Sequence, residues 1–88
     1  MVIPSLITEF YKDRIEDNQA YIHYLAQDIG EMNRIREGCQ DWELEDVIRH
    51  IIFLENQIIE HLRKEIQLDR KAVREYEAGR AIQSPAGV

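Results

Sequence analysis

The residues of this chain best suited to chemistry are carboxylates. Asp28 and Glu31 lie three positions apart, and Glu43 and Asp46 repeat that spacing. On a helix the spacing puts both members of a pair on one face. Two such pairs brought together from neighbouring helices form an oxygen-rich set suited to one or two Mg²⁺ or Mn²⁺ ions, which prefer oxygen ligands. Such ions bridge phosphates and activate a water for in-line attack. The other reactive residue types offer less. Cys39 is the only cysteine, so an intrachain disulfide is excluded, and with no histidine near it the thiol reads as a bystander in a connector. His23, His50 and His61 belong to no Glu-x-x-His pair and read as ordinary helix-surface residues. Tyr11, Tyr21, Tyr24 and Trp42 are candidates to stack a base, but at helical spacing they read as core or interface. The chain has no Gly-rich phosphate loop, nucleophile elbow or zinc-spaced Cys/His set.

The elements that must position the carboxylates are two helices. Pro4-Ser5 reads as a helix start, with Ser5 as the cap. Leu6, Ile7, Phe10, Tyr11 and Ile15, then Ile22, Leu25, Ile29 and Met32, follow at three- and four-residue steps. A first helix over about 5–37 results. Asp17-Asn18 are poor helix-interior residues, which leaves open a break there. Gly30 costs helix stability unless it permits a close helix approach. Gly38 is expected to supply a left-handed C-cap, and Asp41 the N-cap of the next helix, with Glu43 and Glu45 favouring its dipole. A connector of only Gly38 to Asp41 forces the two helices antiparallel.

The second helix is expected from Trp42 to about Ala78, followed by a frayed tail over 79–88 with Ser84, Pro85 and Gly87. Its apolar stripe is wider than one partner helix can cover. Neighbours such as Ile51-Ile52 and Ile58-Ile59 imply contacts with two different helices. The fold class that follows is an all-α antiparallel hairpin, a single domain over 1–78, that assembles as a homodimeric four-helix bundle or a dimer of dimers. The expected interface is Trp42, Ile51, Ile52, Phe53, Ile58, Ile59, Leu62 and Ile66.

At the carboxylates the sequence resembles the all-α NTP pyrophosphohydrolases of the MazG-like family. Leu25-Ala-Gln-Asp-Ile-Gly-Glu31 is similar to that family's first metal motif, a Glu-Glu-x-x-Glu run. Glu43-Leu-Glu-Asp46 and the apolar run after it are similar to its Glu-x-x-Asp motif, and Ile66 to Val73 with Arg80 to its closing helix. Gln27 and Asp28 stand where the family pattern has two glutamates. Over residues 25–80 the resemblance implies hydrolysis of a nucleoside triphosphate to the monophosphate and pyrophosphate. Asp28, Glu31, Glu43 and Asp46 would hold Mg²⁺ or Mn²⁺. Arg70, Lys71, Arg74 and Arg80 would hold phosphates, a role that Arg and Lys suit. Geometry sets a condition. Asp28 lies about 14 Å along the axis from the end of its helix, whereas Glu43 falls in the first turn of the next. Shared ligation needs an early end to the first helix or a carboxylate pair from a second subunit.

Composition bounds the partners. The chain has 88 residues and a net charge of −6, which disfavours direct binding to nucleic-acid phosphates. Residues 1–62 hold 13 Asp/Glu against 5 Lys/Arg, and residues 63–88 hold 4 against 6. That asymmetry suits an antiparallel register or a phosphate-bearing ligand, or is simply a solvated helix face. Met1 to Ile7 lacks a basic leader and charged residues interrupt every apolar run, so the expected location is the cytoplasm, with no membrane partner. Two functions stay open: a metal-dependent nucleotide pyrophosphohydrolase, and a non-enzymatic helical-bundle interaction or regulatory protein that binds another protein through its apolar and acidic surface. Trp42, Phe53 and Tyr76 are candidate contacts for the second.

Overall fold

The computed structural model describes the backbone of residues 4–86 and the side chains of residues 5–79. Two helices, α1 (Pro4–Glu37) and α2 (Trp42–Ala86), lie antiparallel in a rod of 72 × 18 × 14 Å. No described helix is long and apolar enough to cross a membrane.

The turn forms where the sequence places it, with one difference. Asp41 caps α2: its Oδ1 accepts from Glu43 N–H at 3.0 Å and its carbonyl from Glu45 N–H at 2.9 Å. Glu43 and Glu45 occupy the first turn of α2, and Arg34 and Arg36 the last turn of α1, each suiting the local dipole. Gly38, however, does not adopt positive φ. The α1 end is closed instead by a tight bond from Cys39 N–H to the Arg36 carbonyl at 3.1 Å, a three-residue step that needs no left-handed residue.

Four further points complete or change what the sequence leads one to expect. Pro4 opens α1 and Ser5 lies inside its first turn, because proline is already set at helical φ. α1 runs unbroken through Asp17 and Asn18, since the seam on either side holds what two weak helix formers lose. Gly30 is exposed, and a Cβ there would meet nothing within 4 Å, so no helix approaches it. α2 continues to Ala86, past its expected end near Ala78. Helix formers such as Ala78, Ala81 and Gln83 flank Gly79 and offset its cost of about 1 kcal/mol.

The two helices meet along a seam of alternating three- and four-residue steps. Leu25 of α1 with Ile59 and Leu62 of α2 form its buried centre, packed by Ile22 and Ile29. Ile48, Ile66 and Val73 extend the buried line along α2. Among the described residues no side chain is fully shielded from water.

Two contacts define the sides of the hairpin. Tyr11 and Tyr76 stack across the seam with ring centroids 6.2 Å apart. One residue further along each chain, Lys12 and Glu77 pair at 3.1 Å. A step of +1 therefore leads to the same side on both helices, as right-handed helices running in opposite directions require. That side is polar apart from exposed Phe53, with Glu16, Gln19 and His23 on α1 and Asn56, Arg63 and Gln67 on α2. The side reached by a step of −1 is apolar toward the turn. It carries Tyr21, Tyr24 and Ile35 on α1, with the carboxylates Asp28 and Glu31 among them, and Leu44, Val47, Ile51, Leu54 and Ile58 on α2; of the apolar residues all but half-buried Ile51 are exposed.

Candidate functional site

The carboxylates occupy two separate places in the hairpin. Asp28 and Glu31 line an open groove along α1 with Tyr24, Gln27, Gly30 and Arg34. Asp46 lines another at the start of α2 with Trp42, Glu45 and Arg49. Glu43 lies in the first turn of α2, its N–H held by Asp41. α1 ends at Glu37 as expected, so the axial gap between the pairs persists. Among the described residues no three His, Cys, Asp or Glu side chains are placed to hold a metal ion. The four carboxylates of one hairpin therefore do not make a metal centre by themselves, and joint ligation needs another chain.

Two of the four carboxylates, Asp28 and Glu31, and the neighbouring Glu45 face protein groups. Glu31 is ion-paired with Arg34, and Glu45 with Arg49 at 2.9 Å. Asp28 turns toward Glu55 of α2. Burial raises the Glu55 carboxyl to about 7, and its hydrogen bond and charge contact with Asp28 push the same way. Two carboxylates only accept, so a hydrogen bond between them requires one to keep its proton. Glu55 Oε2 is buried with no hydrogen-bond partner, as is Asn18 Nδ2.

A second polar insertion lies farther from the turn. Asp69 is almost fully buried, and Arg14 closes over it with Nε to Oδ2 at 2.8 Å and Nη2 to Oδ1 at 2.5 Å. The hydrogen bonds to Asp69, followed by its charge, raise the Arg14 pKa further above an already high value. Phe10 and Tyr11, in edge contact with each other, lie beside the guanidinium with ring centroids 5.5 and 5.6 Å away. Arg14, Glu55 and Asp69 were not singled out from sequence. Glu55 and Asp69 occupy seam positions among isoleucines and leucines, and a charged residue at such a position is the signal that could have found them.

Of the expected phosphate holders, Arg70, Lys71 and Arg74 line one groove with Lys64, Gln67 and Leu68, while the Arg80 side chain lies outside the described residues. Glu65 and Asp69, the acids of that stretch, already bind His61 and Arg14. Of the expected interface residues, Ile59, Leu62 and Ile66 are buried in the hairpin's own seam, which takes them out of a contact between chains. Trp42, at 73% exposure, Phe53 and Ile58 remain outward, and Ile51 and Ile52 are half-buried. Tyr21 and Tyr24 stack on each other at 6.4 Å, exposed on the apolar side. No protein-family model, curated protein or solved structure matches this chain.

Proposed function

We propose that this chain acts as a self-associating helical module, two hairpins packing their apolar sides together as a four-helix bundle. The observation that carries the reading is the second, uncovered stripe of α2: Leu44, Val47, Ile51, Leu54 and Ile58, at steps of three and four beside the seam already filled by α1. A stripe with this period suits another helix. Tyr21, Tyr24 and Ile35 of α1 add exposed apolar side chains beside it, with Asp28 and Glu31 between them, and clustered exposed apolar residues rimmed by polar ones mark an interaction surface. The surface area points the same way. The hairpin exposes 6931 Å², against about 5,400 Å² for a compact protein of its mass. Such a surface serves scaffolding or regulation by docking, with a second copy as the first occupant. Sedimentation should give about twice the 10.5 kDa chain mass. Leu54→Glu with Ile58→Glu should give a monomer, and Asn56→Glu on the polar side should not. A monomer at millimolar concentration would overturn the reading.

One observation favours a second reading, the MazG-like pyrophosphohydrolase. Asp28 and Glu31 share their groove with Tyr24, so acidic oxygens and an aromatic face lie together. The reading needs Glu43 and Asp46 from another chain, with Mg²⁺ or Mn²⁺ bridging a nucleotide's phosphates. Metal-dependent release of pyrophosphate from a deoxynucleoside triphosphate, abolished by Glu43→Ala with Asp46→Ala, would support it. No release from any common nucleotide with either metal would remove it.

A further inference from the structure

We propose that the second copy docks end for end, its turn at the far end of the bundle, about a two-fold axis level with Ala26 on α1 and Gln57 on α2. The proposal rests on the self-association above and specifies its geometry. Ala26 and Gln57 stand opposite each other, to within about two residues, on the cross-helix register bracketed by the Arg14–Asp69 and Tyr11–Tyr76 contacts. In a two-fold contact residue i meets j while j meets i, so residues equally far from the axis on either side come together.

Three separate sets of residues are self-complementary about that level. The first flanks the uncovered stripe of α2 on the side away from α1. Glu43, His50, Gln57, Lys64 and Lys71 follow there at seven-residue intervals, all exposed. Their charge runs from acidic beside the turn to basic at the far end. Flanking positions of this kind set helix orientation. Reversed about Gln57, Glu43 of each copy meets Lys71 of the other. The second set is the stripe itself. Its pairs centre one residue nearer the turn, at Asn56, the offset between core and flanking pairs of antiparallel helices: Leu54 falls opposite Ile58 and Leu44 opposite Leu68, which is 65% exposed on the hairpin alone. The third set is on α1, where Tyr24 lies as far from Ala26 on one side as Asp28 on the other, and Tyr21 as far as Glu31. Each phenol then donates to a carboxylate that docking would otherwise strip of water.

The opposite orientation, with both turns at one end, lacks these matches. It lays α1 of one copy over α2 of the other at the same level, which sets Asp28 and Glu31 on Leu54 and Ile51. It also sets Asp17 against Glu65 and crowds the acidic residues 41–46 of both copies together. Charges on aliphatic surface and like charges in contact both oppose association.

Cys39, the single thiol, lies in the turn and takes a nitroxide label on the full chain. End-for-end docking puts each label about 27 Å of helix rise from the axis, so the dipolar distance should be about 50 Å. Turns together would give a distance under about 25 Å. Glu43→Lys alone, or Lys71→Glu alone, should weaken the dimer about tenfold at low salt, and the two changes together should restore it. Glu43 also touches the start of α2, but a local loss there is not recovered by a change at Lys71. A dimer with a short label distance, or a double variant weaker than either single one, overturns the orientation and leaves self-association intact. A chain that stays monomeric overturns both. End-for-end docking also keeps Glu43 and Asp46 of each copy far from Asp28 and Glu31 of the other, so metal-dependent pyrophosphate release by the dimer would count against it.

Discussion

At the scale of single residues, charged groups in the seam decide more than charged groups on the surface. Asp69 is tolerable inside because Arg14 meets both of its oxygens and itself rests against two neighbouring rings. Arg14→Ala would leave a buried carboxylate without a donor. The expected loss is about 2–4 kcal/mol, measured by urea unfolding, and Arg14→Met with Asp69→Leu should recover most of it. Glu55 behaves in the opposite sense. Its carboxyl is raised from 4.5 to about 7 in the fold, so the folded state binds the proton more tightly than the unfolded chain. Its favourable contribution is fully present below pH 4.5 and is lost as pH rises through 7. Glu55→Gln, which keeps the shape and removes the charge, should leave stability near pH 4 unchanged. At pH 8 it should add on the order of 1 kcal/mol. A variant equally stabilised at both pH values would show that the Glu55 charge is not what costs. The carboxylates flagged from sequence were legible because i, i+3 spacing is local to one helix. Glu55 escaped notice because its meaning comes from Asp28 on the other helix.

At the scale of elements, the hairpin was legible almost in full, and the errors share a cause. Asp41, Trp42 and the antiparallel pairing follow from capping chemistry and loop length. The break left open at Asn18 and the close approach left open at Gly30 both turn on what a long seam decides cooperatively, not on one residue. The same argument predicts how each responds to substitution. Gly30 is exposed in mid-helix with open space around its Cβ position. Gly30→Ala should raise stability by about 0.5–1 kcal/mol through helix propensity and the unfolded chain, with no change in assembly. Asn18 sits at a seam position with its amide nitrogen buried and unpartnered. Asn18→Leu should therefore stabilise by about 1–2 kcal/mol, since it removes an unsatisfied donor and adds apolar contact. Thermal melts of both variants at one fixed chain concentration check the pair. A destabilised Asn18→Leu would mean that the seam has no room there, so that the asparagine fits its position by size.

At the scale of the whole molecule, the hairpin is a rod with a seam but no sealed interior, and one of its two long sides is apolar near the turn. The sequence was informative about this, because paired isoleucines at 51–52 and 58–59 demand two neighbours. It did not reveal which member faces which neighbour. Only the register set by Arg14–Asp69 and Tyr11–Tyr76 assigns Ile52 and Ile59 inward and Ile51 and Ile58 to the other side. The consequence is thermodynamic. If the native state is two hairpins, folding and association are one equilibrium, and each tenfold rise in chain concentration favours the dimer by about 1.4 kcal/mol. The melting temperature of the native chain should therefore climb steadily with concentration, by a few degrees per decade. It should also rise from very low salt to about 0.15 M, as two chains of charge −6 repel less when screened. Leu54→Glu with Ile58→Glu should lower the melting temperature and make it independent of concentration, because each charge would have to be buried against the second copy. A native melt that does not move over a hundredfold range of concentration would mean that the hairpin folds alone and leaves its apolar side to a different protein.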